Sequence, residues 1–263
     1  MTTATQTHTE QTIEVGGGTV RVLKGGSGHP VVVLHHSTGN PGWASFHEQL
    51  ARSAEVFAPD MPGYGQSSRP EWAREPRDLA ILLLQALDKM GLGTVTLVGT
   101  GFGGFIAAEM VSMNQSRFDH VILIGAAGLQ PEEGEILDEM LVDFEEYVKA
   151  GFVDEAAYHR SFGETLEPAI KDLWDFSREM SARVTWKPYM FSRRLAPLLR
   201  EVRTPALLIW GANDAVVPPV CGRQYQAAFA NAKLEVVANA GHLVEYEQPE
   251  KVAALISAFA GKA

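Results

Sequence analysis

A single cysteine, Cys221, stands in a chain of 263 residues, so no intrachain disulfide can form. The fold must be held by its core, and nothing in the cysteine count points to an oxidising compartment. No pattern of basic residues around Cys221 would favour its thiolate, so it reads as a small buried apolar residue. Long apolar runs are also missing: none reaches the roughly 20 residues that a membrane-spanning helix needs. Met1 to Thr12 is polar, without the basic-then-apolar pattern of a leader, and reads as a frayed tail of a cytoplasmic protein. Basic residues are scarce too, 22 Lys and Arg against 32 Asp and Glu, for a formal charge of -10. That balance argues against nucleic acid or an anionic membrane as partner. A small-molecule substrate is expected instead, with self-association as a homodimer left open. There is no internal repeat and no low-complexity segment.

What is present is an ordinary globular composition, 46% hydrophobic and 21% charged, long enough for one domain carrying an inserted subdomain. Gly16-Gly17-Gly18 between Thr12–Val15 and Thr19–Leu23 signals a hairpin. Short apolar runs at Val31–His35, Glu55–Ala58, Thr94–Val98, Val121–Gly125, Ala206–Trp210 and Leu234–Val237 read as buried strands. Helical periodicity fills the intervals at Trp43–Arg52, Arg77–Met90, Phe105–Met113, Pro219–Ala230 and Pro249–Ala260. Strands alternating with helices predict an α/β fold, a mostly parallel central sheet with helices on both faces. From Pro131 to about Leu199 the pattern is helical only, rich in acids and aromatics, and reads as an insertion over the carboxyl edge of the sheet.

Ligands of such sheets bind beyond the carboxyl ends of the strands. Those ends deliver His35-His36-Ser37-Thr38, then Asp60, then Gly99-Thr100-Gly101-Phe102-Gly103-Gly104, then Asp214, then Gly241-His242. The glycine-rich stretch fits two patterns. As Gly-x-Gly-x-x-Gly it matches a dinucleotide fingerprint, but the next strand ends Leu123-Ile124-Gly125-Ala126-Ala127, without the acid that would bind a ribose. As Gly-x-nucleophile-x-Gly it matches a nucleophile elbow, with Gly101 at the nucleophile position.

An elbow, then an acid, then a histidine, each just past a strand, is the order of a hydrolase triad. With the His35 loop, Asp60-Met61-Pro62-Gly63-Tyr64-Gly65-Gln66-Ser67, the elbow, Asp214 and Gly241-His242, nearly the whole chain resembles the α/β-hydrolase fold superfamily. The resemblance implies a core of residues 1–128 and 200–263 with a helical cap over 129–199. It implies that His242, oriented by Asp214, is a general base, and that the backbone N–H groups of Phe102 and Ser37 form an oxyanion hole. The departure is Gly101, which has no side chain to form an acyl-enzyme. In its place the empty volume is expected to hold a water within reach of His242. Ser37 and Thr38 are the candidate substitute nucleophiles, although loop hydroxyls more often bond backbone. His36 stands where the family usually has glycine and is expected to project into the pocket.

The remaining residues have plainer readings. His35 reads as a buried loop anchor, Asp214 is also placed for an Asx turn before Val216, and Glu245 and Glu247 read as a solvated helix approach. Trp174, Trp186 and Tyr189 are the cap aromatics placed to line the pocket. No ligand spacing supports a metal among His36, Asp60 and His242, and no cofactor is expected. The expected function is hydrolysis of a small, fairly apolar ester or acyl compound. The alternatives are proton-transfer chemistry in the same pocket (a lyase, isomerase or cofactor-free oxygenase step) and a ligand-binding pseudoenzyme.

Overall fold

Gly16 and Gly17, with φ of 61° and 82°, turn the chain between strands β1 (His8–Val15) and β2 (Gly18–Gly26). The structure, a computed structural model, describes residues 8–261. The first seven residues of the tail expected to fray lie outside that range. From His8 onward the expectation does not hold, because β1 pairs antiparallel with β2 from Val15↔Gly18 out to His8↔Gly25. The ladder satisfies the backbone of an edge strand whose polar side chains face water.

The chain then alternates as the periodicity requires. β3 (Pro30–Leu34), α1 (Ser45–Ala51), β4 (Glu55–Pro59), α2 (Pro76–Lys89), β5 (Val95–Thr100), α3 (Phe102–Met113) and β6 (Phe118–Ile124) follow one another. The helices α4 (Phe144–Ala150), α5 (Glu155–Phe162), α6 (Pro168–Thr185) and α7 (Leu195–Leu199) come between β6 and β7 (Ala206–Gly211). The chain closes with α8 (Val220–Ala228), β8 (Ala232–Val237), α9 (Val244–Glu247) and α10 (Pro249–Ala260). The eight strands form one sheet in the order β1-β2-β4-β3-β5-β6-β7-β8, antiparallel only at β1–β2 and β2–β4.

Strands β5 and β7 are buried on both faces, which is why they read as continuous apolar runs. On one face Phe46 and Leu50 of α1 and Val252 and Ile256 of α10 pack on Val31, Val33, Val98, Ile122 and Ile209. On the other, α2, α3 and α8 cover Val32, Leu97, Leu123 and Leu208. Each such side chain contributes roughly 1.5–3 kcal/mol by leaving water. Helix α3 starts at Phe102, three residues before the expected Phe105, despite the low helix propensity of Gly103 and Gly104. A side chain at Gly103 would run into the carbonyl oxygens of Leu34 and His35, so glycine lets α3 sit directly on β3.

The helical insertion docks on the loops beyond the carboxyl ends of the strands. Ser181 Oγ lies 2.9 Å from the Tyr64 hydroxyl, and a Cβ on Gly63 would meet the Met180 side chain. No helix among the described residues is long and apolar enough to cross a membrane.

Candidate active site

Strand β5 ends at Thr100, and the next residue, Gly101, has φ 51° and ψ -114° before the chain enters α3. An L side chain rarely adopts that backbone, and glycine holds it at little cost. The Gly101 N–H donates to Ile124 O at 2.9 Å, and Ala127 N–H donates to Gly101 O at 3.0 Å, so the neighbouring strand pins the turn. The elbow persists without its side chain.

The turn after β7 carries Asp214, and the turn after β8 carries His242. His242 Nδ1 donates to Asp214 Oδ2 at 2.9 Å, with both side chains buried. The other carboxylate oxygen, Oδ1, accepts from Val216 N–H at 2.9 Å and Val217 N–H at 2.8 Å. Asp214 therefore makes the Asx turn and holds the histidine as well, one oxygen for each. Burial opposes a charge on His242, but Asp214, joined by Glu245, outweighs it and holds the imidazole above its usual pKa of 6.5. Gly125, at the end of β6, leaves room for this pair, since a Cβ there would stand 3.0 Å from His242 Nδ1 and 3.2 Å from Asp214 Oδ2. Glu247 accepts from Gly241 N–H and from Val153 and Asp154, fixing the turn that presents His242.

The space beside Gly101 is crowded by a side chain. A Cβ on Gly101 would overlap His36 Nδ1 and stand 3.0 Å from His242 Nε2. The two imidazoles meet edge to face with centroids 4.9 Å apart. His36 Nε2 is 2.7 Å from Glu245 Oε1, both side chains being buried. A carboxylate only accepts, so Nε2 carries a proton, and the neutral form of the ring presents its lone pair at Nδ1. By the same reasoning His242 presents Nε2. Neither nitrogen has a hydrogen-bond partner among the described residues. Glu245 is thus not part of a solvated approach; α9 turns it inward, and its exposure is 3%. Its acidic neighbourhood concealed it in the sequence, where only a histidine facing the same pocket could have pointed to it.

The other expectations divide. His35 is an anchor: its Nδ1 donates to His36 O at 2.7 Å, its Nε2 accepts from Met61 N–H at 2.9 Å, and burial lowers its pKa to about 4. Ser37 Oγ donates to Glu139 Oε2 at 2.7 Å. Glu139 sits in the insertion, fully buried, and burial raises its carboxyl to a pKa of about 7 despite the bond from Ser37. Thr38 and Trp174 join His36 around a cavity of about 30 Å³, room for about one water. Tyr189 bonds the insertion's own backbone, accepting from Glu139 N–H at 2.9 Å and donating to Leu137 O at 3.1 Å. Trp186 is 69% exposed and lies on an outer cleft whose lining includes neither His242 nor Gly101, so it does not line the pocket. The end of α6 carries it past the site, a rotation that residue type cannot reveal. Asp60 accepts from Gln66 N–H at 2.8 Å and from Arg21 at 3.3 Å. Cys221 is buried, and that burial pushes its thiol up to about 12. The N–H groups of Phe102 and Ser37 are engaged by no other group among the described residues.

A parallel sheet with an elbow, an acid and a histidine at its carboxyl edge defines a hydrolase-type fold. The alpha/beta hydrolase family model matches residues 31–255, and the chain belongs to that family. It is 28% identical over 256 residues to 2-hydroxymuconate semialdehyde hydrolase of Pseudomonas sp. strain CF600, covering 90% of this chain and 89% of that protein. It is 27% identical over 254 residues to a 2-hydroxy-6-oxononadienedioate/2-hydroxy-6-oxononatrienedioate hydrolase of Burkholderia vietnamiensis, covering 89% of this chain and 88% of that one. A meta-cleavage product hydrolase from Pseudomonas fluorescens IP01 shares the fold, with a TM-score of 0.78 at 23% identity over 96% of this chain and 97% of that one.

Proposed function

We propose that this chain is a hydrolase of small, fairly apolar esters or related acyl compounds that works without a serine nucleophile. The observation that carries the reading is the buried His242–Asp214 pair, bonded at 2.9 Å, beside an elbow that keeps its turn in Gly101. An oriented base beside a retained elbow has a chemical use and no evident structural one. His242 removes the proton from the attacking water, and the free N–H groups of Phe102 and Ser37 take the developing oxyanion. Residues 129–199 act as the cap that shuts the site from solvent. The names of the relatives, hydrolases of hydroxy-oxo and semialdehyde compounds, support a carbonyl carbon as the point of attack.

A second reading, proton transfer to or from a bound substrate without hydrolysis, is favoured by the two facing imidazole lone pairs. A panel of short-chain p-nitrophenyl esters, run with His242→Ala alongside, separates the readings. Turnover that disappears in His242→Ala supports hydrolysis. Turnover indifferent to that change sinks it, and a protein that binds these esters without turning them over moves the case to proton transfer or to a ligand-binding role.

A further inference from the structure

We propose that His36 is the nucleophile of this site, its Nδ1 forming an N-acyl imidazole in the place of a serine ester. The inference rests on the hydrolytic reading above and goes beyond it by naming the group that attacks. Three features of the structure carry it. The first is position: a Cβ on Gly101 would overlap His36 Nδ1, so the ring nitrogen borders the place where the side chain of an elbow residue would begin. The second is chemistry: Glu245 holds the Nε2 proton at 2.7 Å, which leaves Nδ1 as the lone pair and places a carboxylate to offset charge on an acylated ring. The third is company: His242 Nε2 stands 3.0 Å from that same point, without another partner.

The reaction balances without another reagent. The Nδ1 lone pair forms a bond to the acyl carbon, and the carbonyl π pair moves to oxygen against the N–H groups of Phe102 and Ser37. Collapse breaks the bond to the leaving group, which departs with the proton of the His242 imidazolium, or as a free anion when it is acidic. The acyl-imidazolium keeps its Nε2–H on Glu245. Neutral His242 then takes a proton from water as the water oxygen bonds the acyl carbon. Cleavage of the C–N bond returns the pair to Nδ1 and releases the acid, so ester and water give acid and alcohol.

The test is partitioning by the unmodified protein. Phenyl, p-nitrophenyl and methyl esters of one short acid are hydrolysed with added methanol, and the ratio of acid to methyl ester (of acid to exchanged labelled methanol for the methyl substrate) is measured. A common acyl-imidazole predicts one ratio for all three leaving groups. His36→Ala is expected to lose roughly 100-fold or more in kcat, with saturable recovery on adding imidazole, while circular dichroism matches the parent. Ratios that change with the leaving group, or a His36→Ala variant as active as the parent, overturn the nucleophile and leave hydrolysis by His242 standing. Absence of turnover of all three esters by the parent overturns the hydrolytic reading and this inference together.

Discussion

His36 and Gly101 compete for one space: the ring nitrogen of the first would overlap the Cβ of any larger residue at the second. The two positions are coupled through that volume, although 65 residues of chain separate them. A change at one is therefore read through the other.

Gly101→Ser by itself should neither gain activity nor be stable. The backbone at φ 51° disfavours a side chain, and the new Cβ must displace the His36 ring. Strain and overpacking together are expected to cost about 2–4 kcal/mol. Gly101→Ser combined with His36→Gly removes the overlap and should recover most of the packing cost. Urea denaturation of the single and double variants measures the difference, and equal losses in both would refute the coupling.

Asp214→Asn tests the orientation of His242 without emptying the site. The amide oxygen can still accept from Val216 and Val217, so the turn is expected to survive. The charge beside Nδ1 is lost, and kcat for p-nitrophenyl esters should fall by roughly 10²–10⁴. A fall in Tm with unchanged kcat would instead assign Asp214 to the turn alone.

With p-nitrophenyl esters, whose leaving group needs no proton, turnover should rise with pH. Burial works against the His242 charge, but Asp214 raises its pKa above 6.5 overall, and only the neutral ring removes a proton from water. The midpoint of the rise is expected above 6.5 and should move down in Asp214→Asn. The same shift is linked to stability. The charged pair's contribution is fully present below pH 6.5 and is lost as pH rises through the folded-state value. A flat rate profile between pH 6 and 9 would rule His242 out as the base.

Glu139 predicts a second pH dependence, in stability alone. Burial raises its carboxyl from 4.5 to about 7, so the folded chain binds a proton that the unfolded chain has released. Relative to a neutral side chain, the fold loses stability as pH rises from 4.5 to 7, by about 3 kcal/mol at most. Glu139→Gln, which can still accept from Ser37, should match the parent at pH 4 and exceed it at pH 8 in denaturation midpoint. A constant difference across that range would exclude the shifted carboxyl.

Much of the architecture was legible because it is local. Buried strands announce themselves as short apolar runs, and the succession of Gly101, Asp214 and His242 just past strand ends places all three at one edge of the sheet. Helix boundaries shifted where packing overrode propensity, as at Gly103, whose value lies in contact with the Leu34 and His35 carbonyls. Ser37 and Thr38 were legible as loop residues, but not that Ser37 would be held by Glu139, a residue 102 positions away. Trp186 shows the opposite failure, since aromatic type says nothing about which way a helix end faces.

The amino-acid sequence by itself determined the strand order of the chemistry, the turn at Gly101 and the pairing of an acid with a histidine, because these depend on local backbone preference and on chain order. Only the tertiary structure decided what stands over Gly101. That place went to His36 because β3 and β5 are neighbours in the sheet, and because α9 brings Glu245 within 2.7 Å of the ring from the far end of the chain. Such contacts are set by the burial of whole elements against one another, and no spacing along the chain encodes them.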